Sequence, residues 1–360
     1  MRNRFASLGS ILVLATLCDV AAHAQTVNPL TSGFCDNSAV NDLAVTVATP
    51  VTLHTDSDCS YVQRQAGGPD LCVFLYHDIQ IESGAVLTVS GMRPATLAAQ
   101  GTIVVSGTIN ADQAGGNTGS VSGVDTANAS AGGGGAGGAT IGGSGGHNFL
   151  GASGGIGGLA TSPAFAPLIG GSHGGAGGTT NAAAGGRGGG ALQLAACGDL
   201  TVTGVVRASG QGGSGGAAAA GSPNGGGGGG SGGTLLLEGS NISIFGNVTA
   251  NGGGGGGGGT TAASGQAGMD GRTDTLSASG GSPGGSGAAS GGGGGSTSAT
   301  GTGGNATSTL GAAGGGGGAV GRIRINACGT LLTAPAAIVS PVASTGSSCP
   351  SDRIFADGFE

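Results

Sequence analysis

The chain has no tryptophan and no lysine; all ten of its basic residues are arginine. Charged residues make up 8% and aromatic residues 3% of its 360 positions. Each shortage removes a class of function. Without lysine there is no phosphate-loop lysine and no Schiff-base nucleophile. A formal net charge of −7 argues against DNA or RNA as a partner, because phosphate binding needs clustered positive charge. No cysteine sits in a C-x-x-C motif or in a Cys/His cluster, so nothing points to zinc and no cofactor is expected. Past the first 24 residues every apolar run is broken by glycine, so no transmembrane segment is expected. What the chain has instead is glycine: 90 residues, a quarter of the sequence against a usual ~7%.

The N-terminus reads as a secretory signal over residues 1–24. Arg2 and Arg4 precede the short apolar run from Gly9 to Leu17, and Ala22-His23-Ala24 offers small residues for cleavage before Gln25. Cleavage removes Cys18 and leaves Cys35, Cys59, Cys72, Cys197, Cys328 and Cys349. An even count in an exported chain favours disulfides.

An internal repeat organises the remainder. Ile103–Ala111, Leu200–Ala208 and Ile242–Ala250 share the pattern apolar-x-apolar-x-Gly-x-apolar-x-Ala. A second unit precedes it as Leu192-Gln193-Leu194, Leu235-Leu236-Leu237 and Ile323-Arg324-Ile325. The period of two inside each unit makes these strands. The fixed glycine marks a bend that needs either positive φ or the absence of a Cβ. One such unit cannot bury its apolar face alone, so copies should stack. The fold expected is all-β, a right-handed parallel β-helix with long glycine-rich insertions between turns; a β-sandwich of hairpins is the alternative. The implied organisation is a cysteine-bearing cap at 25–72, first turns at 73–113, an insertion at 114–190 and central turns at 191–250. A second insertion follows at 251–318, then a last turn and cap at 319–349 and a tail at 350–360.

Stacking constrains the disulfides. Cys197 and Cys328 occupy equivalent repeat positions with one copy between them. Two strand spacings of ~4.8 Å exceed the ~7 Å Cα limit for a bridge, so they should not pair. Cys328 with Cys349 is expected at the C-terminal cap, and Cys35 with Cys59, or Cys59 with Cys72, at the N-terminal one. Cys197 is then left over.

In residues 251–318, 30 of 68 positions are glycine. Ordering a residue costs roughly 1–2 kcal/mol, and only Met269, Leu276 and Leu310 offer sizeable apolar side chains there. Side-chain burial cannot balance that cost, and no Gly-x-x period is sustained, so the tracts are expected to be mobile.

The run Asp78–Gly91, the strand Thr234–Glu238 after a glycine tract, and Gly321–Ile325 after another resemble a group of glycine-rich exported bacterial proteins with β-helix-like repeats. The ending Ile354-Phe355-Ala356-Asp357-Gly358-Phe359-Glu360 is similar to a short tail shared by many exported proteobacterial proteins. The resemblance implies fold and export and carries no activity.

Catalytic patterns such as Gly-x-Ser-x-Gly recur by composition alone, since none follows a strand and opens a helix. Gly268-Met269-Asp270-Gly271 with Asp274 is a single unrepeated copy and reads as a solvated turn. The outward columns around the bend, Asn110, Arg207 and Thr249 with Thr108, Val205 and Asn247, hold no carboxylate. The acidic concentration is N-terminal, and an active site there would use Asp56, Asp58 and His77. A disulfide-stapled cap is the blander reading of the same residues. The function expected is that of an exported, non-enzymatic surface or matrix protein, compatible with adhesion and secreted or held at the cell surface. The alternative is a carbohydrate-active enzyme or carbohydrate-binding module, with polysaccharide as the partner.

Overall fold

The computed structural model describes residues 34–36, 41–162, 164–179, 181–296 and 300–347. Residues 1–24, where the sequence leads one to expect a secretory signal, lie outside the described residues, as do Cys349 and residues 350–360.

Strands β1 (Leu43–Val45), β2 (Val51–His54) and β3 (Tyr61–Gln63) come first. Rounds of three follow. The first is β4 (Leu71–Tyr76), β5 (Ile79–Ile81) and β6 (Val86–Gly91), and the second β7 (Ala95–Ala99), β8 (Ile103–Val105) and β9 (Thr108–Ala114). The third is β10 (Ala191–Ala196), β11 (Leu200–Val202) and β12 (Val205–Arg207). The fourth is β13 (Thr234–Gly239), β14 (Ile242–Ile244) and β15 (Asn247–Thr249), and the fifth β16 (Arg322–Ala327), β17 (Leu331–Thr333) and β18 (Ile338–Ser340), with β19 (Ser344–Gly346) after it. The described residues are all-β apart from a single 3-10 turn at Phe34–Asp36.

The strands form three sheets, visited in the same cyclic order in every round. Sheet I runs β3-β4-β7-β10-β13-β16-β19, sheet II β1-β5-β8-β11-β14-β17 and sheet III β2-β6-β9-β12-β15-β18. Pairing is parallel throughout, except between β3 and β4. The hairpin alternative therefore accounts for that one strand pair. The repeat aligns as its sequence requires: Ile103 pairs Leu200, which pairs Ile242. Leu192, Leu194, Leu235, Leu237, Ile323 and Ile325 of sheet I join Leu200, Val202, Ile242 and Ile244 of sheet II in one buried cluster. Val206 and Val248 of sheet III complete it. Burying each such side chain contributes about 1.5–3 kcal/mol.

The bend glycines show which of their two uses applies. Gly107, Gly204 and Gly246 do not have positive φ. A Cβ on Gly204 would overlap the carbonyl oxygen of Gly107, and one on Gly246 that of Gly204. They are glycine because successive rounds meet backbone to backbone.

The outer face of sheet I is covered as well. Leu71, Val73, Leu75, Ala98, Ala195 and Leu236 pack there with Phe34 and Leu168. A polar ladder crosses the same face: Thr96 donates to Gln193, and Gln193 and Asn326 both donate to Glu238.

The three insertions leave after β9, β12 and β15, always between sheet III and sheet I. They do not dangle. Gly132 and Gly135 donate to Gly146 and Gly143, Gly133 and Ala136 to Gly226 and Gly229, and Gly134 and Gly137 to Val124 and Val121. Donors thus rotate through three neighbours with a period of three residues, the period of an extended polyproline-II helix. Segment 226–233 donates to 313–319, 208–214 and 172–175, and accepts from 133–136, 186–189 and 253–256. Most glycines in these segments are buried. The insertions form one glycine lobe of parallel and antiparallel extended segments.

The expected mobility of residues 251–318 is therefore corrected. Side-chain burial is the wrong measure for a segment whose backbone donors and acceptors are satisfied by neighbouring segments. Each such bond contributes about 1 kcal/mol net, and Cα–H···O contacts at this proximity add to it. Limited proteolysis with an elastase-type enzyme should cut first at the exposed tips around 262–264 and 220–222, leaving 252–258 intact. Early cutting within 252–258 would mean that the segments are open in solution.

Two disulfides are described. Cys59 pairs with Cys72 across a Cα separation of 5.3 Å, and Cys35 pairs with Cys197 across 5.7 Å. The first is one of the two N-terminal pairings expected. The second corrects the expectation that Cys197 is left over: Cys35, in the turn at Phe34–Asp36, lies against the outer face of sheet I and reaches the end of β10. Cys197 is thereby not bonded to Cys328. Cys328 is itself disulfide-bonded, and its expected partner Cys349 lies outside the described residues.

Candidate functional site

Sheet III presents its outward residues to a groove at the seam with the glycine lobe. Strand β9 runs seven residues, beyond the three that the repeat unit requires. Its alternation therefore continues past Asn110 to a further outward position, Asp112. Arg207 ends β12, and the chain then turns into the lobe through Ser209 and Gln211. Arg187 arrives from the returning end of the first insertion and Asp270 from the third. Two cavities of about 520 and 230 Å3 open here and share Ser90, Asp112, Gln113 and Arg187 as lining.

Asp112 is the electrostatic centre of this groove. One carboxylate oxygen lies 2.5 Å from Arg207 Nη2 and the other accepts the Ser209 backbone N–H at 2.6 Å. Burial is the largest influence on its carboxyl group and pushes its pKa up. The Arg207 charge and the Ser209 N–H oppose that shift, while the Asp270 charge adds to it. Asp270 caps the lobe by accepting Gly212 N–H at 2.9 Å. Two polar atoms beside Asp112, Arg207 Nε and Ser209 Oγ, are buried without a hydrogen-bond partner among the described residues. Ser209 is 3% exposed.

The N-terminal candidates are placed differently. Asp56 and Asp58 follow β2, whereas His77 lies in the turn between β4 and β5. Asp56 accepts Met92 N–H through both oxygens at 3.1 Å and lies 3.7 Å from Arg93. Asp58 accepts His54 N–H at 2.9 Å and the Ser57 hydroxyl at 2.6 Å; the hydroxyl bond is the main reason that its pKa is lowered. His77 instead meets Asp78 at 3.0 Å and Asp42 at 3.4 Å. Among the described residues no hydrogen bond or ion pair joins His77 to Asp56 or Asp58. Asp42, His77 and Asp78 bring ligand-type atoms within 4.8 Å of one another. Asp78 Oδ1 accepts Thr102 N–H at 2.5 Å and its hydroxyl at 2.9 Å, while Oδ2 is the oxygen that meets His77. These carboxylates close turns.

Asp112 lies one alternation beyond Asn110, outside the repeat pattern that defines the outward columns. Asp270 and Arg187 carry no such signal, because they reach the groove from separate insertions. In the turn at residues 268–274, Asp274 pairs with the Arg272 guanidinium at 2.5–3.1 Å, and Asp270 faces the groove.

No helix among the described residues is long and apolar enough to cross a membrane. No protein-family model, curated protein or solved structure matches the chain.

Proposed function

We propose that this protein is an exported, non-enzymatic structural component of the cell surface or extracellular matrix. In this reading its three sheets close into a right-handed parallel β-helix. The cyclic order of the sheets, their common core and the strong preference of parallel crossovers for the right hand all support that closure. The observation that carries the reading is the glycine lobe. It is built from backbone packing, with few side chains of any chemistry, and it is fused to every later round of the coil at one corner. Such a body suits load-bearing or display better than turnover. Disulfides support an oxidising compartment, and the sequence signal at residues 1–24 supplies the route to it.

Export is tested by producing the full chain in a bacterium with an oxidising periplasm, fractionating the cells and sequencing the N-terminus. A product beginning at Gln25, outside the cytoplasm and without free thiols, is expected. An intact N-terminus on cytoplasmic protein would overturn the reading. The seam groove favours one second reading, the capture of carbohydrate.

A further inference from the structure

We infer that the groove between sheet III and the glycine lobe binds a neutral oligosaccharide, or a stretch of neutral polysaccharide, through Arg207, Ser209, Arg187 and the flanking amides. The inference names a ligand for the matrix role proposed above and rests on that role for its compartment.

Three observations point to a hydroxyl-rich, uncharged chain. The first is charge balance. The guanidinium groups of Arg187 and Arg207 face the carboxylates of Asp112 and Asp270 in the same groove, so the walls offer an anion no net attraction. A carboxylated or phosphorylated chain would bring its charge against Asp112 and Asp270. The second is the pair of buried, unpartnered atoms. Arg207 Nε–H is a donor only, and Ser209 Oγ both donates and accepts. Leaving them unsatisfied costs about 1–3 kcal/mol each, and a ligand hydroxyl drawn into this wall of the groove, or a water it orders there, would relieve that cost. A metal ion is a poorer fit, because Asp112 already spends its two oxygens on Arg207 and Ser209 and a guanidinium repels a cation.

The third is shape. His54, Ser90, Asp112 and Arg207 belong to β2, β6, β9 and β12, four successive strands of sheet III. Three strand spacings of ~4.8 Å make the groove about 14 Å long, which suits a short linear oligosaccharide laid across the rounds. Gln113 and Gln211 place planar amides along it, able to donate and accept at once. Met92, 81% exposed at one end, gives an apolar surface for the C–H face of a sugar ring. Recognition by a few placed polar groups in an otherwise preformed cleft is the ordinary design of such sites.

Affinity gel electrophoresis of the disulfide-intact mature chain provides the test. The gels contain laminarin, hydroxyethylcellulose or glucomannan as neutral polymers, and polygalacturonate or alginate as acidic ones. Retardation by at least one neutral polymer is expected, and none by the acidic polymers. The variants Arg187→Ala and Ser209→Ala should each weaken retardation about tenfold, the effect of losing one ligand hydrogen bond, with unchanged thermal midpoints. Because Ser209 is buried, Arg187→Ala keeps the test decisive if Ser209→Ala proves unstable. Binding of acidic polymers only, no binding at all, or binding indifferent to Arg187→Ala would each overturn the inference. Export with no binding leaves the matrix reading standing without this ligand, whereas retention in the cytoplasm overturns the matrix reading itself.

Discussion

Adding one methyl group at Gly294 should loosen the glycine lobe, while the same methyl one residue earlier, at Gly293, should be tolerated. A Cβ on Gly294 would overlap the carbonyl oxygen and carbon of Gly252. Backbone atoms cannot rotate aside as a side chain can, so segment 250–255 must move. That segment holds Gly295 through Gly252 N–H, and Gly253 and Gly254 bond to Gly230 and Met269. A shift there breaks bonds on three sides, and the expected loss is on the order of 3 kcal/mol, the upper end of the range for overfilling a well-packed interior. At Gly293 the nearest atom to a Cβ is the Ala278 oxygen at 3.4 Å, an ordinary contact, and φ is not in the left-handed region. Alanine there also restricts the unfolded chain, which contributes about 0.4–1 kcal/mol in favour of the fold. Urea unfolding of Gly294→Ala and Gly293→Ala, with elastase digestion as a second readout, decides the matter. Equal tolerance at both sites would mean that the tracts do not pack as described.

The contrast explains which parts of the fold could be read from the sequence. The strand repeat was legible because a strand bears a side chain on each face, and burial writes a period of two into residues such as Leu200, Val202, Ile242 and Ile244. The glycine lobe writes its period of three only at its edges. Gly154-Gly155-Ile156-Gly157-Gly158-Leu159 carries it, and both Ile156 and Leu159 point out, 67% exposed. Thr140-Ile141-Gly142-Gly143-Ser144-Gly145-Gly146-His147 carries it too, with each glycine pair facing a neighbouring backbone. In the centre, Gly225–Gly230 meets a neighbour on every side, so no position is free to vary and the period vanishes into an unbroken glycine run. A run without a period looked like a segment without structure. The groove divides in the same way. Asp112 obeys a strand alternation and could have been found, whereas its neighbours Asp270 and Arg187 are brought in by lobe packing that no local pattern encodes.

Removing the Cys35–Cys197 disulfide should cost more stability than removing Cys59–Cys72, although the latter reaches into the hydrophobic core, where Cys72 is wholly buried. The ends of the first bridge are 162 residues apart in sequence and those of the second 13. In the chain-entropy account the stabilisation grows with the logarithm of the closed loop, giving about 5 kcal/mol for the longer and about 3 kcal/mol for the shorter at 25 °C. The long loop also encloses the first insertion, so opening it frees in the unfolded state the chain that must return as lobe. In the folded state the bridge fastens the Phe34–Asp36 turn to the end of β10, where Phe34, 5% exposed, covers Leu71, Val73 and Leu168. Gln100 adds a hydrogen bond to the Phe34 carbonyl at 3.1 Å, which is too little to hold the turn by itself. The double variant Cys35→Ser/Cys197→Ser should therefore unfold at lower urea than Cys59→Ser/Cys72→Ser, and its outer face of sheet I should become accessible to a hydrophobic dye. The reverse order would show that loop length does not govern these bridges, and that burial of Cys72 beside Phe74 in the core outweighs it.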